Sequence, residues 1–275
     1  MSIASVSLYC DAELLARQSY AKSLSEQFSL KLLQTPPEKN TYFLVLTDQR
    51  LELHQADKKN KPVFIDFSSK HYQYRLKQGR KNELIAKAVG IKSHEKPSII
   101  DATAGWGEDG FVLANLGCAV TWLERSPVMA ALLSDAITPL SRSRHPVDDF
   151  YTRDPANQMR GVGGEGHEVS FYYPQLHYTN AISYLKNLSP TEYPDVIYLD
   201  PMFPERQKSA LVKKPMRILR ELVGDDVDAA ELFAVALQRA KKRVVVKRPR
   251  LAPAIEGRLP NMSIKGQSSR FDVYL

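Results

Sequence analysis

The chain has 275 residues, 43% hydrophobic and 25% charged, which is the balance of a globular protein with one large core and room for a small extra domain. No apolar run approaches the roughly 18–20 residues of a membrane-spanning helix, and residues 1–15 lack the basic start of a secretory signal. The net charge is +7. The segment from residue 201 onward, with sixteen Lys/Arg against eight Asp/Glu, is +8 by itself and the rest of the chain is near neutral, which favours a polyanionic partner such as nucleic acid.

The two cysteines, Cys10 and Cys118, are far apart and have no metal-ligand spacing, and the histidines show none either. This pattern predicts no disulfide framework and no metal site, and it favours a reducing, cytoplasmic location.

The first seventy residues predict a small α+β subdomain, 1–70, with the boundary near residues 68–75. Alternating apolar residues and a polar four-residue connection indicate a hairpin, and Pro36-Pro37 separates it from what precedes. The predicted elements are a strand within 2–10, a helix within 12–33, the hairpin of 42–46 with 51–54, and a third strand at 63–67.

Strand–helix alternation over 71–275 predicts an α/β domain with a doubly wound, mostly parallel sheet, whose functional residues follow the carboxyl ends of the strands. Residues 138–168, rich in polar residues and glycine, are expected to form a long surface loop or insertion. The predicted strands are 98–101, 119–123, 176–178, 196–199 and 243–246, followed by a closing hairpin of 262–265 and 271–274. The predicted helices are 82–89, 111–116, 128–133, 181–188 and 229–240.

A glycine turn follows the first of these strands: Asp101-Ala-Thr-Ala-Gly105-Trp-Gly107-Glu-Asp-Gly110. Glycine lets a ligand approach the backbone, and the next helix offers free N–H groups, so the motif suits either a dinucleotide or S-adenosylmethionine (SAM). Glu124, at the end of the next strand, is placed to accept hydrogen bonds from a ribose diol.

The segment Asp200-Pro201-Met202-Phe203-Pro204 follows the buried strand 196–199 and suggests the chemistry. An exocyclic amine on a base is a poor nucleophile because its lone pair is delocalised into the ring. A carboxylate and a backbone carbonyl that accept its two N–H groups can aim the lone pair at a methyl donor, while Pro201 fixes the backbone and Phe203 offers a stacking face for a flipped base. The sequence therefore predicts an amine methyltransferase with Asp200, Pro201 and Phe203 as catalytic residues.

Five segments resemble the RsmJ family, bacterial methyltransferases that modify a guanine N2 of small-subunit (16S) ribosomal RNA. They are the motif from Asp101 to Gly107, Leu123-Glu-Arg-Ser-Pro127, Tyr198-Leu-Asp-Pro-Met-Phe-Pro204, Lys208-Ser-Ala-Leu-Val-Lys-Lys214 and Lys242-Arg-Val-Val-Val-Lys-Arg-Pro249. The resemblance extends from about Phe64 to the end and implies a seven-stranded Rossmann-like sheet, SAM as cofactor, and 16S ribosomal RNA or the small ribosomal subunit as partner.

By motif, the resemblance implies cofactor contacts at Glu108-Asp109, Glu124-Arg125, Asn180-Ala181 and Asp200, beside Asp101, Gly105 and Gly107 of the turn. The family often has an arginine in place of Glu108 and a serine pair in place of Asn180-Ala181. Basic residues after the catalytic turn are expected to contact RNA phosphates. They are Arg206, Lys208, Lys213, Lys214, Arg217, Lys247 and Arg248.

Three alternatives remain open at this point. Related Asp-Pro-aromatic turns also serve adenine N6 and protein amides, so another amine acceptor fits the same residues. An NAD-dependent oxidoreductase explains the glycine turn and Glu124 but gives residues 200–204 no role. A non-catalytic RNA-binding protein that kept the fold is the third.

Overall fold

The computed structural model of the chain describes residues 6–38, 41–56, 61–69, 72, 84–92, 94–138, 152–153, 158–162, 168–172, 174–202, 222–224 and 226–275. By contacts the chain divides into two compact units. The first comprises the described residues of 1–67, 125–149 and 211–223, and the second those of 68–124, 150–210 and 224–275.

The secondary structure alternates between strands and helices from residue 84 onward. The strands are β1 Ser7–Cys10, β2 Lys31–Leu33, β3 Tyr42–Leu46, β4 Leu51–Gln55, β5 Ile99–Asp101, β6 Val120–Glu124, β7 Thr152–Arg153, β8 Gln158–Val162, β9 Glu168–Tyr172, β10 Gln175–Tyr178, β11 Val196–Leu199, β12 Arg243–Pro249, β13 Met262–Lys265 and β14 Ser269–Tyr274. The helices are α1 Leu15–Gln27, α2 Leu84–Val89, α3 Glu108–Asn115, α4 Pro127–Ile137, α5 Ala181–Asn187 and α6 Ala229–Arg239.

The first unit contains a four-stranded mixed sheet in the order β2-β1-β3-β4, with β3 and β4 forming the expected antiparallel hairpin. The third strand predicted at 63–67 is wrong, because only a single bridge joins Val63 to Leu53. Helix α4, which the sequence assigns to 71–275, groups with this unit instead. Its Asp135 accepts a hydrogen bond from the backbone N–H of Leu51 in β4 at 2.8 Å.

The second unit contains a seven-stranded sheet in the order β10-β6-β5-β11-β12-β14-β13. The first five strands in that order pair with one another in parallel. Strand β14 then pairs antiparallel with both β12 and β13. The expected doubly wound α/β sheet, with its closing hairpin, is confirmed.

Strand β11 lies at the centre of this sheet and is buried along its whole length, as its apolar sequence Val-Ile-Tyr-Leu requires for a strand covered on both faces. One face packs with helices α5 and α6 in a core that includes Ile197, Leu199, Leu185 and Phe233. Burial of such side chains fixes β11 in the sheet, and the residue that follows it, Asp200, is therefore delivered to the sheet's carboxyl edge.

Residues 138–168, expected to be a loop or insertion, include regular structure where they are described. Strands β7, β8 and β9 form a three-stranded antiparallel sheet in that order, with Gln158 opposite Tyr172 and Val162 opposite Glu168. Alternation over such short strands is too weak a signal to separate them from a polar loop.

Within the part of the chain that the structure describes, none of the helices has both the length and the hydropathy to cross a bilayer. The same residues contain no cluster of three or more His, Cys, Asp or Glu side chains arranged to hold a metal ion.

Candidate active site

The chain order of the seven-stranded sheet reverses between β5 and β11, which is the position where doubly wound sheets bind their ligands. The carboxyl ends of these strands lie side by side, because Tyr198 pairs with Asp101. The backbone N–H of Asp200 donates a 2.6 Å hydrogen bond to Thr103 Oγ1. The two segments that the sequence selects for cofactor and catalysis are thus joined directly.

The glycine turn after β5 has the geometry that its sequence predicts. Gly105 and Gly107 both have left-handed backbone, with φ of 53° and 71°, where a side chain would be strained. The N–H of Gly107 donates to the carbonyl of Ala104 at 2.7 Å, and helix α3 begins at the next residue. The N-terminal, positive end of the α3 dipole therefore lies beside the turn.

Glu124 ends β6 as expected and is only 7% exposed. Its Oε2 accepts a 2.9 Å hydrogen bond from the backbone N–H of Gly105. The carboxylate therefore holds the glycine turn in place as well as lying at the strand end where a ribose diol is bound in such folds.

Gly110 is required by close packing. A Cβ at this position would overlap the indole nitrogen of Trp122 and lie 3.0 Å from Asp101 Oδ2. Trp122 is fully buried in β6, so it has no room to withdraw. The third glycine of the motif thus brings α3 close to the sheet.

Lys247 bridges two carboxylates at the end of β11. Its Nζ donates to Asp200 Oδ2 at 2.9 Å and to Asp109 Oδ2 at 2.7 Å. Asp109 also accepts a 2.7 Å hydrogen bond from the hydroxyl of Tyr198. A cation from β12 therefore links the proposed catalytic carboxylate to the first turn of α3; we call Lys247, Asp109, Asp200 and Tyr198 the Lys247 network.

The electrostatics of this network follow from its two carboxyl groups, from the neighbouring carboxyl of Asp101, and from one ammonium. Burial raises the pKa of Asp101 well above its usual value, and Asp109 and Asp200 add to the rise. Burial also raises the pKa of Asp200, against the opposing effect of Lys247. Burial by itself would lower the pKa of Lys247, but Asp200 and Asp109 outweigh it and raise that pKa. Lys247 is therefore a permanent cation that favours the ionised form of Asp200.

The turn after Asp200 is held by Asp226. The N–H of Met202 donates to Asp226 Oδ2 at 2.6 Å, and the N–H of Asp226 donates to the Met202 carbonyl at 2.9 Å. Pro201, directly before this anchor, is buried, while the Asp200 side chain is 41% exposed. Phe203, the predicted stacking residue, lies outside the described residues.

Comparison with known proteins agrees with this geometry. Residues 23–153 and 167–275 match the family described as "Putative SAM-dependent methyltransferase". Ribosomal RNA small subunit methyltransferase J of Nitrosococcus oceani is 43% identical over 259 residues, 93% of this chain and 93% of that protein. The protein of the same name from Ectopseudomonas mendocina is 48% identical over 235 residues, 85% of this chain and 82% of that protein. This chain belongs to the ribosomal RNA small subunit methyltransferase J family.

A solved structure agrees with the family assignment. The crystal structure of a SAM-dependent methyltransferase from Neisseria gonorrhoeae is similar with a TM-score of 0.67 and 32% identity, covering 98% of this chain and 96% of that one. The enzyme class expected from the sequence, a SAM-dependent methyltransferase, is confirmed, and the NAD-dependent alternative is set aside.

The other residues predicted to bind the cofactor differ in exposure and in hydrogen bonding. Glu108 is exposed in the first turn of α3, whereas Asp109 is buried in the Lys247 network. Arg125 directly follows β6. Asn180 caps helix α5, with its Oδ1 accepting from the N–H of Ser183 at 3.0 Å, and Ala181 is the first residue of that helix.

Two side chains predicted to contact RNA phosphates are engaged inside the molecule instead. Lys247 belongs to the Lys247 network, and Arg248 is 5% exposed, with Nε and Nη2 donating to the carbonyl of Pro253 at 3.1 and 2.9 Å. Sequence charge alone does not distinguish a cation facing solvent from one facing a carboxylate or carbonyl. The remaining predicted RNA contacts lie outside the described residues: Arg206, Lys208, Lys213, Lys214 and Arg217.

Proposed function

We propose that this protein transfers a methyl group from SAM to the exocyclic N2 of a guanine in small-subunit (16S) ribosomal RNA, in the cytoplasm. The observation that carries the proposal is the position of Asp200, next to the glycine turn and hydrogen-bonded to Thr103. The relatives' name supports the class of RNA, and the family resemblance supports guanine N2 as the acceptor. The basic C-terminal segment suits a polyanionic substrate.

The residues around the glycine turn fit a nucleoside cofactor. Gly105 and Gly107 allow close approach, and Glu124 supplies a carboxylate for ribose hydroxyls. The Trp106 Nε1 donor in this turn is shielded from solvent and has no hydrogen-bond partner among the described residues. A buried donor left unpaired is costly, so an acceptor on a bound ligand would stabilise the turn.

Asn180 is suited to the adenine end of that cofactor. Its Oδ1 is used in capping α5, and none of the described residues accepts from its Nδ2. Nδ2 is therefore the atom available to donate to a ring nitrogen of adenine, since an amide nitrogen carries two donors.

SAM, when bound, supplies an electrophilic methyl group on a sulfonium. Asp200 and the backbone carbonyl of Pro201 accept the two N–H groups of the guanine amine and direct its lone pair toward that carbon, so catalysis depends mainly on positioning. The hydrogen bonds between Met202 and Asp226 hold the turn in this arrangement. The amine gains the methyl group and loses one proton, which Asp200, 41% exposed, can accept and pass to water.

Asp200→Asn tests this role, because it removes the carboxylate while keeping the size of the side chain. We expect kcat with small ribosomal subunits from a strain lacking the enzyme to fall by about 10²–10⁴-fold. The matched control is Asp195→Asn, at the opposite end of β11, where the carboxylate pairs with Lys242 and Ser98. The assay is transfer of radioactive methyl from SAM, with nucleoside digestion and mass analysis of the product.

The product of that digestion decides between acceptors. N2-methylguanosine from 16S ribosomal RNA supports the proposal. N6-methyladenosine or a methylated ribosomal protein would instead show that the acceptor is an adenine amine or a protein group. Full activity of Asp200→Asn would refute the catalytic assignment. A wild-type protein that binds RNA but does not methylate it would refute the assignment as well.

A further inference from the structure

The connection between β12 and β13 begins at the same sheet edge as Asp200. Strand β12 is parallel to β11 and carries Lys247, whose ammonium contacts Asp200 at 2.9 Å. Two residues further along, β12 ends at Pro249, and the chain turns sharply, with the N–H of Ala252 donating to the Pro249 carbonyl at 3.0 Å. Arg250 and Leu251 occupy the two corner positions of this turn, which we call the Arg250 corner.

The backbone of the Arg250 corner is held by two arginines that point inward. Arg270 Nη1 donates to the carbonyls of Pro249, Arg250 and Ala252 at 3.2, 2.9 and 2.7 Å. Arg248 donates twice to the next carbonyl, that of Pro253. Four carbonyls of one short segment are thus bound by two guanidinium groups.

This arrangement has an energetic cost. Arg248 and Arg270 face each other across β12 and β14, and like charges in directly opposite positions are destabilising. Asp272, fully buried, offsets part of the repulsion by binding Arg270 Nε and Nη2 at 2.9 Å.

The corner displays one cation and one large apolar side chain. Leu251 is 93% exposed, and the exposed Arg250 side chain has no partner among the described residues. A single exposed leucine is ordinary in a globular protein. Here, however, it stands beside a free guanidinium, on a backbone held rigid, and at the edge that carries the proposed catalytic carboxylate.

We propose that the Arg250 corner contacts the RNA next to the target nucleotide: Arg250 binds a backbone phosphate, and Leu251 packs against the neighbouring bases and keeps the target base out of the stack. A cation paired with an apolar side chain suits a nucleic acid, because phosphates take the charge and unstacked bases offer apolar faces. The inference rests on the proposed function, and it identifies the Arg250 corner as a surface that binds the RNA substrate.

The same connection provides matched controls at the opposite edge of the sheet. Leu259 is 83% exposed, and Arg258 precedes it. The Arg258 carbonyl accepts from the hydroxyl of Tyr274, and Tyr274 pairs with Val244 at the amino end of β12. Leu259 and Arg258 therefore share the chemistry and exposure of the corner residues but lie away from Asp200.

The experiment compares Leu251→Ser and Arg250→Gln with Leu259→Ser and Arg258→Gln, using small ribosomal subunits from a strain lacking the enzyme. We expect Leu251→Ser to lower kcat/KM for subunits about tenfold, the effect of losing one apolar contact with a base. We expect Arg250→Gln to raise KM and to reduce the slope of log affinity against log salt by about one. Binding of S-adenosylhomocysteine by calorimetry and the melting temperature should match the wild type in all four variants.

The outcomes separate this inference from the proposed function. Wild-type kinetics in both Leu251→Ser and Arg250→Gln, or equal losses in the control variants, would overturn the inference while leaving the methyltransferase assignment intact. A wild-type protein that binds S-adenosylhomocysteine but transfers no methyl group to subunits would overturn the proposed function, and the inference with it.

Discussion

Replacing Lys247 by methionine tests the electrostatic arrangement of the site, because it removes the ammonium between Asp109 and Asp200 and keeps a side chain of similar length. Loss of one partner of a buried ion pair costs about 3–5 kcal/mol. The Asp200 side chain is 41% exposed and that of Lys247 29%, so water screens part of the interaction. We expect the free energy of unfolding at neutral pH to fall by about 2 kcal/mol, measured by urea denaturation.

The same substitution should move the pH dependence of catalysis. Without Lys247, the carboxylates of Asp109 and Asp200 repel each other, and the pKa of Asp200, already raised by burial, rises further. Because Asp200 can take the proton of the amine only as a carboxylate, the acid limb of kcat/KM should shift to higher pH by about 1–2 units. The stability deficit should shrink as the pH falls through the folded pKa of Asp200, because protonation removes the uncompensated charge. Lys247→Arg keeps the cation and should restore most of the wild-type profile.

Lys242 provides the matched control. It also bridges two carboxylates, with Nζ 2.6 Å from Glu95 Oε1 and 3.2 Å from Asp195 Oδ1, but it is 45% exposed. Lys242→Met should therefore lower the free energy of unfolding much less than Lys247→Met does, and it should leave the acid limb unchanged. A wild-type acid limb in Lys247→Met, or an equal shift in Lys242→Met, would refute the reasoning.

Two further substitutions test the glycine turn. Gly110→Ala should lower the free energy of unfolding by about 1–3 kcal/mol, despite alanine's higher helix propensity, because the Cβ overlaps the buried Trp122; a melting temperature at or above that of the wild type would contradict this packing. Glu124→Gln should weaken binding of S-adenosylhomocysteine about tenfold by calorimetry, since it replaces charge-assisted hydrogen bonds to Gly105 and to the ribose with neutral ones; unchanged affinity would argue against the ribose contact.

The fold could be predicted from sequence where hydrophobic pattern and backbone pairing coincide. The apolar run 196–199 gives β11 with its exact bounds, because a strand buried on both faces needs every residue apolar. The run 63–67 gives a wrong strand prediction because its side chains are buried without regular backbone pairing. Val63, Ile65 and Phe67 are buried in alternation, but among the described residues of this run the backbone pairs at Val63 alone. Alternation of apolar side chains shows which side chains face a core. It does not show whether the backbone forms hydrogen bonds with a neighbouring strand.

The site also contains some residues that could be located from sequence and one whose position could not. Asp200, Glu124 and the glycine turn could be located because each follows a strand of a doubly wound sheet, where position along the chain determines position at the sheet edge. The sequence groups Lys247 with the RNA contacts because its neighbours in sequence are basic. Its place after three valines of a central strand is the signal for an inward cation, since a lysine so placed needs a carboxylate partner.

Helix α4 has a consequence for any attempt to shorten this enzyme. It directly follows the strand that ends in Glu124, yet it packs with β4, and its residues from Val128 to Leu133 are all buried. A truncated chain that started at residue 68 would lack β4 and the Leu51 amide that Asp135 binds, leaving part of this apolar helix uncovered. The opening segment is thus a structural support for helix α4, and that helix should not be expected to keep its packing when the segment is removed.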